Sequence, residues 1–457
     1  MAKADAINTD DAPLTPPTLR EATAYWLKLG LLSFGGPAGQ IAMMHQDLVD
    51  KKRWISDKRF LHALNYCMVL PGPEAQQLAT YIGWLMHRSW GGIIAGGLFI
   101  LPSLLILIVL SWVYMRYGHL PQIAAMLYGI KPAVVAIVLF AAYRIGLRVL
   151  KHKLLWAIAL FAFVAISQFD LAFPWIVIMA ALLGSIGHHY FPQQFNVSKS
   201  HHSGSRQHAK AVIDDDTPSP EHAKFSIKKM CKYLAAGLGT WLIVISMLVL
   251  TYGWQSVLTQ MAWFFTKAAL MTFGGAYAVL PYVYQGAVEH YHWLTPHQMI
   301  DGLALGETTP GPLIMVVAFV GFVGGWTQPV FGGDYLLLSG MAAAGVVTFF
   351  TFLPSFLFIF IGAPLIESSQ NNLKLSAPLT GITAAVVGVI LSLALFFAQH
   401  VFFPGHSYNQ VDMTVLMLAL LALWLLVKWN LSVIKLVGLC AAFGFVRYYL
   451  LSVVTGA

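Results

Sequence analysis

The stretch KLGLLSFGGPAG, residues 28–39, returns later in the chain as KAALMTFGGAYA, residues 267–278. In both copies a lysine stands six residues ahead of Phe-Gly-Gly within an apolar segment. The match runs without a gap from Lys28–Pro73 to Lys267–Pro312, an offset of 239, and 12 of its 46 positions are identical. Both copies end in Pro-Gly-Pro. The chain therefore carries an internal duplication.

The duplication continues beyond these two segments. After a short insertion in the second copy the offset becomes 252, which pairs LPS at 101–103 with LPS at 353–355. The region between the copies is polar and rich in His, Ser and Lys, a composition that cannot bury a core. We predict five parts: an N-terminal tail (1–19), a first membrane repeat (20–187), a linker (188–232), a connecting helix (233–252) and a second membrane repeat (253–457).

The composition is that of an integral membrane protein. Of the 457 residues 58% are hydrophobic and 10% are charged, and the mean hydropathy is +0.70, whereas soluble domains contain about 25% charged residues. Apolar stretches such as 91–115, 124–143 and 233–252 reach the roughly 20 residues that a membrane-spanning helix needs. Because a helix satisfies its own backbone groups in lipid, we predict an all-α polytopic membrane protein.

Several classes of function lack their sequence signals. The chain has no GxxxxGK[ST], GxSxG or HExxH motif, which argues against an ATPase pump of the phosphate-loop class and against a membrane enzyme. The three cysteines have no CxxC spacing, so neither a disulfide framework nor a thiolate metal site is predicted. The net charge of +8 comes from basic residues concentrated in the first half and the linker, a pattern of membrane orientation. We predict no cofactor, no metal and no nucleic-acid partner.

The basic residues also predict how the two copies are oriented. The loop DKKRWISDKR at 50–59 holds five basic residues, and its counterpart EHYHWLTPHQ at 289–298 holds no Lys or Arg. Because basic loops stay on the cytoplasmic side, the first loop is expected to be cytoplasmic and the second periplasmic. The repeats then have inverted topology, with 233–252 as the extra crossing that inverts the second copy. The N-terminus and the linker are expected to be cytoplasmic.

The Gly-Gly and Pro-Gly-Pro segments are expected to interrupt helices, since glycine adopts unusual backbone angles and proline removes an amide donor. We predict that they form four re-entrant or broken hairpins. Each repeat then has four full crossings, and the connecting helix brings the total to about nine. If the hairpins span the membrane, the count rises to about thirteen.

Broken helices in inverted repeats indicate a substrate site near the midplane, where the N-terminal ends of half-helices attract an anion. The alternative is that these glycines only allow close helix packing. The candidate substrate-binding residues lie at the breaks or carry donors beside them: Lys28, Ser33, Gly35, Gly36, Gly72, Gln77, Lys267, Thr272, Gly274, Gly275 and Gly311. The residues predicted to break the helices are Pro71, Pro73, Pro310 and Pro312.

The two lysines carry the strongest inference. A lysine in a membrane segment costs roughly 3 kcal/mol on insertion scales, which makes it a functional candidate. Two symmetry-related cations beside amide-rich breaks suit a compact divalent anion, although both lysines could instead extend to the interface.

Two carboxyl groups lie close to the Pro-Gly-Pro segments. Glu74 and Glu307 are candidates for carrying a coupling proton, the alternative being a helix cap or a salt bridge to Lys28 or Lys267. His45 and Asp301 are interpreted as loop or core contacts.

The motifs resemble one known family. KLGLLSFGGPAGQIAMMHQDLV and RWISDKRFLHALNYCMVLPGPEAQQLATYIGW resemble the N-terminal half of the chromate ion transporter family, and LMTFGGAYAVLPYV with GETTPGPLIM resembles its C-terminal half. The resemblance implies a bacterial inner-membrane protein of the long, two-repeat type. It also implies export of chromate from the cytoplasm, driven by the membrane potential or the proton gradient, and chromate resistance.

The alternatives that stay open are a sulfate or other oxyanion transporter on the same scaffold, a passive anion channel and, last, a membrane chromate reductase. The expected partners are chromate or sulfate, protons and the lipid bilayer, and a homodimer is compatible with the sequence.

Overall fold

The computed structural model of the protein describes residues 15–34, 36–169, 171–190, 211–215, 217–218, 220–273, 275–368, 376–403 and 411–455. Within these ranges the chain forms sixteen α-helices. The all-α prediction is confirmed for this part of the chain, where extended pairing is limited to one bridge between Ile55 and Ile213. The predicted site residues Gly35 and Gly274 lie outside the described residues, as do the histidines of the linker at 201, 202 and 208.

The first repeat contains seven helices: α1 (Leu19–Leu32), α2 (Gly36–His45), α3 (Asp57–Cys67), α4 (Glu74–Tyr117), α5 (Pro121–Val149), α6 (Lys153–Phe169) and α7 (Phe173–Tyr190). The connecting helix α8 spans Ile227–Tyr252. The second repeat contains α9 (Val257–Leu270), α10 (Ala276–Tyr284), α11 (Pro296–Thr308), α12 (Val316–Thr327), α13 (Leu336–Ser368), α14 (Ser376–Phe402), α15 (Met413–Lys428) and α16 (Val433–Thr455).

The duplication is visible in the backbone itself. The hydroxyl of Ser56 accepts an N–H at the start of α3, and Thr295, its equivalent at offset 239, does the same at the start of α11, as N-cap residues do. Six-residue π-helical segments follow α2 and α10 at equivalent positions, Gln46–Lys51 and Gln285–His290. The insertion in the second copy lies between α12 and α13. In the first copy the corresponding place is the kink at His87–Arg88 inside α4.

Among the described residues, six helices are long and apolar enough to cross a membrane by length and composition: α4, α5, α8, α13, α14 and α16. Four shorter apolar helices are α6, α7, α12 and α15. The chain is therefore a multi-pass membrane protein. In contrast, α1 has 14 residues and α2 has 10, or roughly 21 and 15 Å of helix, less than the roughly 30 Å hydrocarbon core. Helices shorter than the hydrocarbon core therefore flank the Phe-Gly-Gly segment of the first repeat.

Helices α4 and α13, which are equivalent at offset 252, pack against each other in opposite directions. A Cβ atom placed on Gly92 would lie 2.7 Å from the ring of Phe360, and one on Gly96 would lie 2.5 Å from the ring of Phe356. The contact thus moves forward along α4 while it moves backward along α13. Glycines permit this approach because a side chain at either position would meet an aromatic ring.

The linker differs from its prediction. Helix α7 continues to Tyr190 and α8 begins at Ile227, so the helices are longer than the predicted boundaries at 187 and 233. The described residues of the segment 211–226 (here the strap) pack on the first repeat: Ile213 N–H donates to Trp54 O at 3.1 Å, and Ser56 N–H donates to Ile213 O at 3.0 Å. The linker composition was predicted to be unable to bury a core of its own, and the side chain of Ile213 is instead buried against the first repeat, beside Trp54.

Candidate functional site

The breaks of the two repeats bind each other. Gly72 donates its backbone N–H to the carbonyl oxygen of Thr272 at 2.7 Å, and Gly311 donates to Ser33 at 2.9 Å. Gly72 and Gly311 are equivalent at offset 239, and so are Ser33 and Thr272. Each Pro-Gly-Pro segment is therefore tied to the Phe-Gly-Gly segment of the other repeat, a reciprocal contact of the kind that a two-fold axis produces. We call these four segments the crossing.

The LPS motif supplies the next contact, and it is also reciprocal. A Cβ atom on Gly72 would lie 2.2 Å from Ser355 Oγ, and one on Gly311 would lie 2.8 Å from Ser103 Cβ. Both glycines have positive φ, 130° and 97°, a region that side chains rarely adopt. Glycine is thus required at both positions by backbone angle and by space. The neighbouring prolines end the preceding helices, since α3 stops at Cys67 and α11 at Thr308.

Two buried amide side chains brace the crossing. Gln40 Nε2 donates to Gly311 O at 2.6 Å and to Ser33 O at 3.2 Å. Gln77 Nε2, a predicted site residue, donates to Pro71 O at 2.8 Å. The sequence interpretation missed Gln40. Its signal was a polar residue one helical turn after the break, in an otherwise apolar α2.

A cavity of about 270 Å³ adjoins the second Pro-Gly-Pro segment. Helices α2 and α16 both begin at this cavity, with Gly36 and Val433 in its wall. The N-terminal ends of helices favour anions because their first N–H groups are free. The lining residues are Phe34, Gly36, Gly306, Glu307, Thr309, Gly311, Leu313, Ser432, Val433 and Ile434.

Two unpaired hydroxyl groups lie beside Gly311. Ser33 and Ser103 are both 0% exposed, and within the described residues neither hydroxyl has a hydrogen-bond partner. An unsatisfied buried polar group costs about 1–3 kcal/mol, so both hydroxyls are available as donors to a ligand. Thr272, the equivalent of Ser33, instead donates its hydroxyl to Ala268 O at 2.7 Å. The two halves of the crossing are therefore chemically different.

Glu307 is the carboxylate of this cavity. Its side chain is half-buried in the wall, and Tyr277 donates its hydroxyl to Glu307 Oε1 at 2.5 Å. The first repeat has Met68 and Ala38 at the equivalent positions, so this pair exists only in the second repeat. Glu74, in contrast, is the first residue of α4 and is half-buried at the other Pro-Gly-Pro segment.

The two lysines lie outside the cavity wall. Lys28 is exposed on α1, and Lys267 is half-exposed with its Nζ 5.7 Å from the ring centroid of Trp263. Within the described residues, neither forms a salt bridge with Glu74 or Glu307, each of which was the alternative predicted partner. Their role as anion ligands stays a prediction.

A second polar cluster lies between α4, α5 and α11. Tyr114 donates its hydroxyl to Asp301 Oδ2 at 2.9 Å, and Lys131 Nζ lies 3.9 Å from Asp301 Oδ1. The three residues line a cavity of about 300 Å³ together with His119 and Gln298. The sequence interpretation treated Asp301 as a loop or core contact and missed Lys131. The rule that selected Lys28, a lysine within an apolar helix, would have selected Lys131 as well.

A third cluster lies where α3 meets the end of α13. Arg59 Nη1 is 3.6 Å from Glu367 Oε2, and Tyr81 donates its hydroxyl to the other carboxylate oxygen. Arg59 also donates to the carbonyl oxygen of Thr217 in the strap. His45, which was interpreted as a loop or core contact, is the last residue of α2 and is hydrogen-bonded at 2.6 Å to Asp57, the first residue of α3.

Comparison with known proteins covers both repeats. A family model described as Chromate transporter matches residues 20–185 and 259–445. Over 438 residues the chain is 32% identical to the chromate transport protein of Cupriavidus metallidurans, covering 95% of this chain and 94% of that protein. Over 402 residues it is 34% identical to the chromate transport protein of Pseudomonas aeruginosa, covering 87% of this chain and 85% of that protein. No solved structure matches the chain significantly. Because the family model matches both halves, the chain belongs to the chromate transporter family, in its long form with two copies of the family domain.

Proposed function

We propose that this protein is a secondary transporter that exports chromate from the cytoplasm across the bacterial inner membrane and so gives chromate resistance. The two relatives named above are chromate transport proteins, and each aligns with most of this chain. The observation that carries the proposal is the crossing, where broken-helix segments from the duplicated halves meet beside a cavity. The unpaired hydroxyls of Ser33 and Ser103 lie next to Gly311, which is in the wall of that cavity. Transporters built from repeats place their substrate site at such a meeting point.

The proposal includes inverted topology. It is supported by the opposite directions of α4 and α13, which are equivalent helices of the two repeats. It is also supported by the side on which contacts occur, since the basic loop at Arg59 meets the end of α13 and the strap. In this scheme nine helices cross the membrane, α8 inverts the second copy, and the four half-length pairs around the breaks form re-entrant hairpins. Reporter fusions after Asp57 and after Pro296 should report opposite sides, and fusions on one side would refute the inversion.

We place the anion in the cavity at the crossing. The N-terminal ends of α2 and α16 supply backbone donors from the cavity wall. Ser33 and Ser103, which lie behind Gly311 and outside that lining, are assigned as hydroxyl donors to an anion that reaches Gly311. Lys28 and Lys267 are kept as predicted ligands, and they require a conformation in which their side chains turn towards the crossing. Chromate is a tetrahedral dianion and fits donors that converge from several directions. Sulfate has the same shape and charge and fits them equally.

Coupling to the proton gradient is assigned to Glu307, with Glu74 as the alternative. A carboxylate and a dianion in one cavity interact electrostatically, so the protonation state of Glu307 and the binding of the anion are linked. The hydroxyl of Tyr277 holds this carboxyl group in the cavity wall.

The test is transport in proteoliposomes with chromate and sulfate in competition under an imposed pH gradient. Saturable chromate movement that responds to the gradient supports the proposal. Preferential movement of sulfate favours the general oxyanion transporter. Flux that does not saturate and ignores the gradient identifies a passive channel.

A further inference from the structure

The third cluster, formed by Arg59, Tyr81 and Glu367, lies at the C-terminal end of α13. We call it the Glu367 clasp. It joins α3 and α4 of the first repeat to a helix of the second. The carboxylate is buried, with 8% of its side chain exposed, and a buried carboxylate that loses its partners is strongly disfavoured. The clasp therefore holds α3 against the end of α13.

The second cluster, formed by Tyr114, Lys131 and Asp301, lies at the C-terminal end of α4. We call it the Asp301 clasp. It joins α11 of the second repeat to α4 and α5 of the first, and Asp301 has 4% of its side chain exposed. At offset 252, Tyr114 corresponds to Ile366, the residue beside Glu367. The two clasps are therefore equivalent in place, although their residues differ.

The clasps lie at opposite ends of the crossing. Helices α4 and α13 run in opposite directions where they touch, so their C-terminal ends are on opposite faces of the molecule. Each clasp holds one hairpin helix. From Arg59, helix α3 continues to Cys67, shortly before Gly72, and from Asp301, helix α11 continues to Thr308, shortly before Gly311. One rigid helix thus connects each clasp to one tip of the crossing, which is a contiguous route for coupling.

We propose that the two clasps are the gates of the transport cycle, and that they open alternately to admit the anion to the crossing from opposite faces. This inference rests on the proposed function, because only an alternating-access transporter needs two gates. Opening the Glu367 clasp frees the hairpin tip at Gly72, and opening the Asp301 clasp frees the tip at Gly311. Repeats related by a two-fold axis exchange conformations when the protein changes sides. Equivalent clasps at the two ends are what such an exchange requires.

The two gates differ in what reinforces them. The strap lies against the Glu367 clasp, through Arg59 to Thr217 O and through Ser56 Oγ to Asp215 Oδ1 at 2.6 Å. The Asp301 clasp instead borders a cavity of about 300 Å³. We therefore expect the strap to bias the cycle towards closure on its own face.

The experiment measures which face reaches the crossing. Cys67, Cys231 and Cys440 are replaced by alanine and Thr309, which lines the cavity, by cysteine. A membrane-impermeant maleimide is then applied to right-side-out and to inverted vesicles. Glu367→Gln or Arg59→Gln should raise the labelling rate from the face of the basic loop at least about fivefold. Tyr114→Phe or Asp301→Asn should raise it by a similar factor from the opposite face.

The matched control is Tyr128→Phe. It removes a tyrosine–aspartate hydrogen bond of 2.6 Å to Asp412, which joins α5 to the start of α15 and touches no hairpin helix, so labelling should not change. Each clasp has two variants, and a variant that elutes as aggregate in size-exclusion chromatography is replaced by its partner. The proposal is overturned if both clasps expose the cysteine from one face or if folded variants label as the parent does. Unsubstituted protein that moves no chromate rejects the proposed function, whereas transport by the unsubstituted protein together with unchanged labelling of the clasp variants rejects only the gates.

Discussion

Gly311 donates its backbone N–H to the carbonyl oxygen of Ser33 at 2.9 Å, which joins the Pro-Gly-Pro tip of the second repeat to the Phe-Gly-Gly break of the first. The equivalent bond from Gly72 to Thr272 completes the reciprocal contact. In a lipid-surrounded protein a broken helix is tolerated only where its freed backbone groups find partners. The breaks of each repeat are thus stabilised by those of the other, and the crossing forms only when both halves are present.

Gly311→Ala should abolish most chromate transport. The added methyl would sit at φ 97°, 2.8 Å from Ser103 Cβ, and such backbone strain costs about 1–3 kcal/mol. Gly97→Ala is the matched control, since a Cβ atom there meets nothing within 4 Å. Vesicle uptake at equal protein levels checks both variants. Normal transport by Gly311→Ala would mean that the crossing tolerates displacement and does not form the site.

Ser33→Ala should weaken chromate binding without destabilising the protein. The hydroxyl is buried and unpaired among the described residues. Its removal therefore eliminates an unsatisfied buried polar group, but it also deprives the anion of a donor. We expect KM for chromate to rise about tenfold while Tm is unchanged or higher. Ser111→Ala is the control, because Ser111 on α4 is equally buried and unpaired but lies outside the crossing. Equal KM in the two variants would remove Ser33 from the site.

The sequence predicted the local features of this fold better than its pairings. The breaks and the duplicated helices follow from Gly, Pro and repeat offset alone. The partner of Gly72 did not, because a contact between Pro-Gly-Pro and the opposite repeat depends on how the halves assemble. The clasps were missed for the same reason, since Asp301 and Lys131 come together only through packing of α5 against α11.

The exposure of the Lys28 side chain could have been predicted from the sequence. Ala22, Tyr25, Trp26 and Leu29 are the buried residues around it on α1, and they form the i, i+3, i+4, i+7 stripe of a helix face. Lys28 lies off this stripe, so its exposure follows from helical periodicity. The docking of Ile213 on the first repeat was harder to predict, because one apolar residue in a polar linker is a weak signal.

Glu307→Gln should separate exchange from coupling. The amide keeps the size of the side chain and can still be hydrogen-bonded to Tyr277, but it neither gains nor releases a proton in the physiological pH range. We expect chromate–chromate exchange to persist, while accumulation driven by a pH gradient falls at least about tenfold. Glu289→Gln, at the end of the second π-helical segment, serves as the control for loss of an acidic side chain. Gradient-driven accumulation at the parental level in Glu307→Gln would contradict the assignment.

Lys28→Ala and Lys267→Ala should abolish chromate resistance, and the arginine variants should keep part of it. The reason is energetic, since a membrane cation costs roughly 3 kcal/mol and is retained for function. Lys428→Ala, in the last turn of α15, is a control that should leave resistance intact. Growth on chromate, with protein levels checked by immunoblotting, decides the matter. Full chromate resistance in both alanine variants would contradict the hypothesis that these lysines bind the anion.

Acidification should release the strap from the first repeat. His222 Nε2–H donates to Trp84 O at 3.0 Å, and the two rings pack edge to face at 5.2 Å. Partial burial lowers the pKa of His222 below its ordinary 6.5, so docking favours the neutral ring. Its contribution is fully present above the unfolded pKa, about 6.5, and is lost as pH falls through the lower folded pKa. Hydrogen exchange at Ile213 N–H, corrected for intrinsic rate, should therefore accelerate between about pH 7.5 and pH 5. His222→Gln, which keeps a donor but cannot be charged, should remove this dependence, and protection that stays constant in the parent would show that the strap is held by its backbone pairing alone.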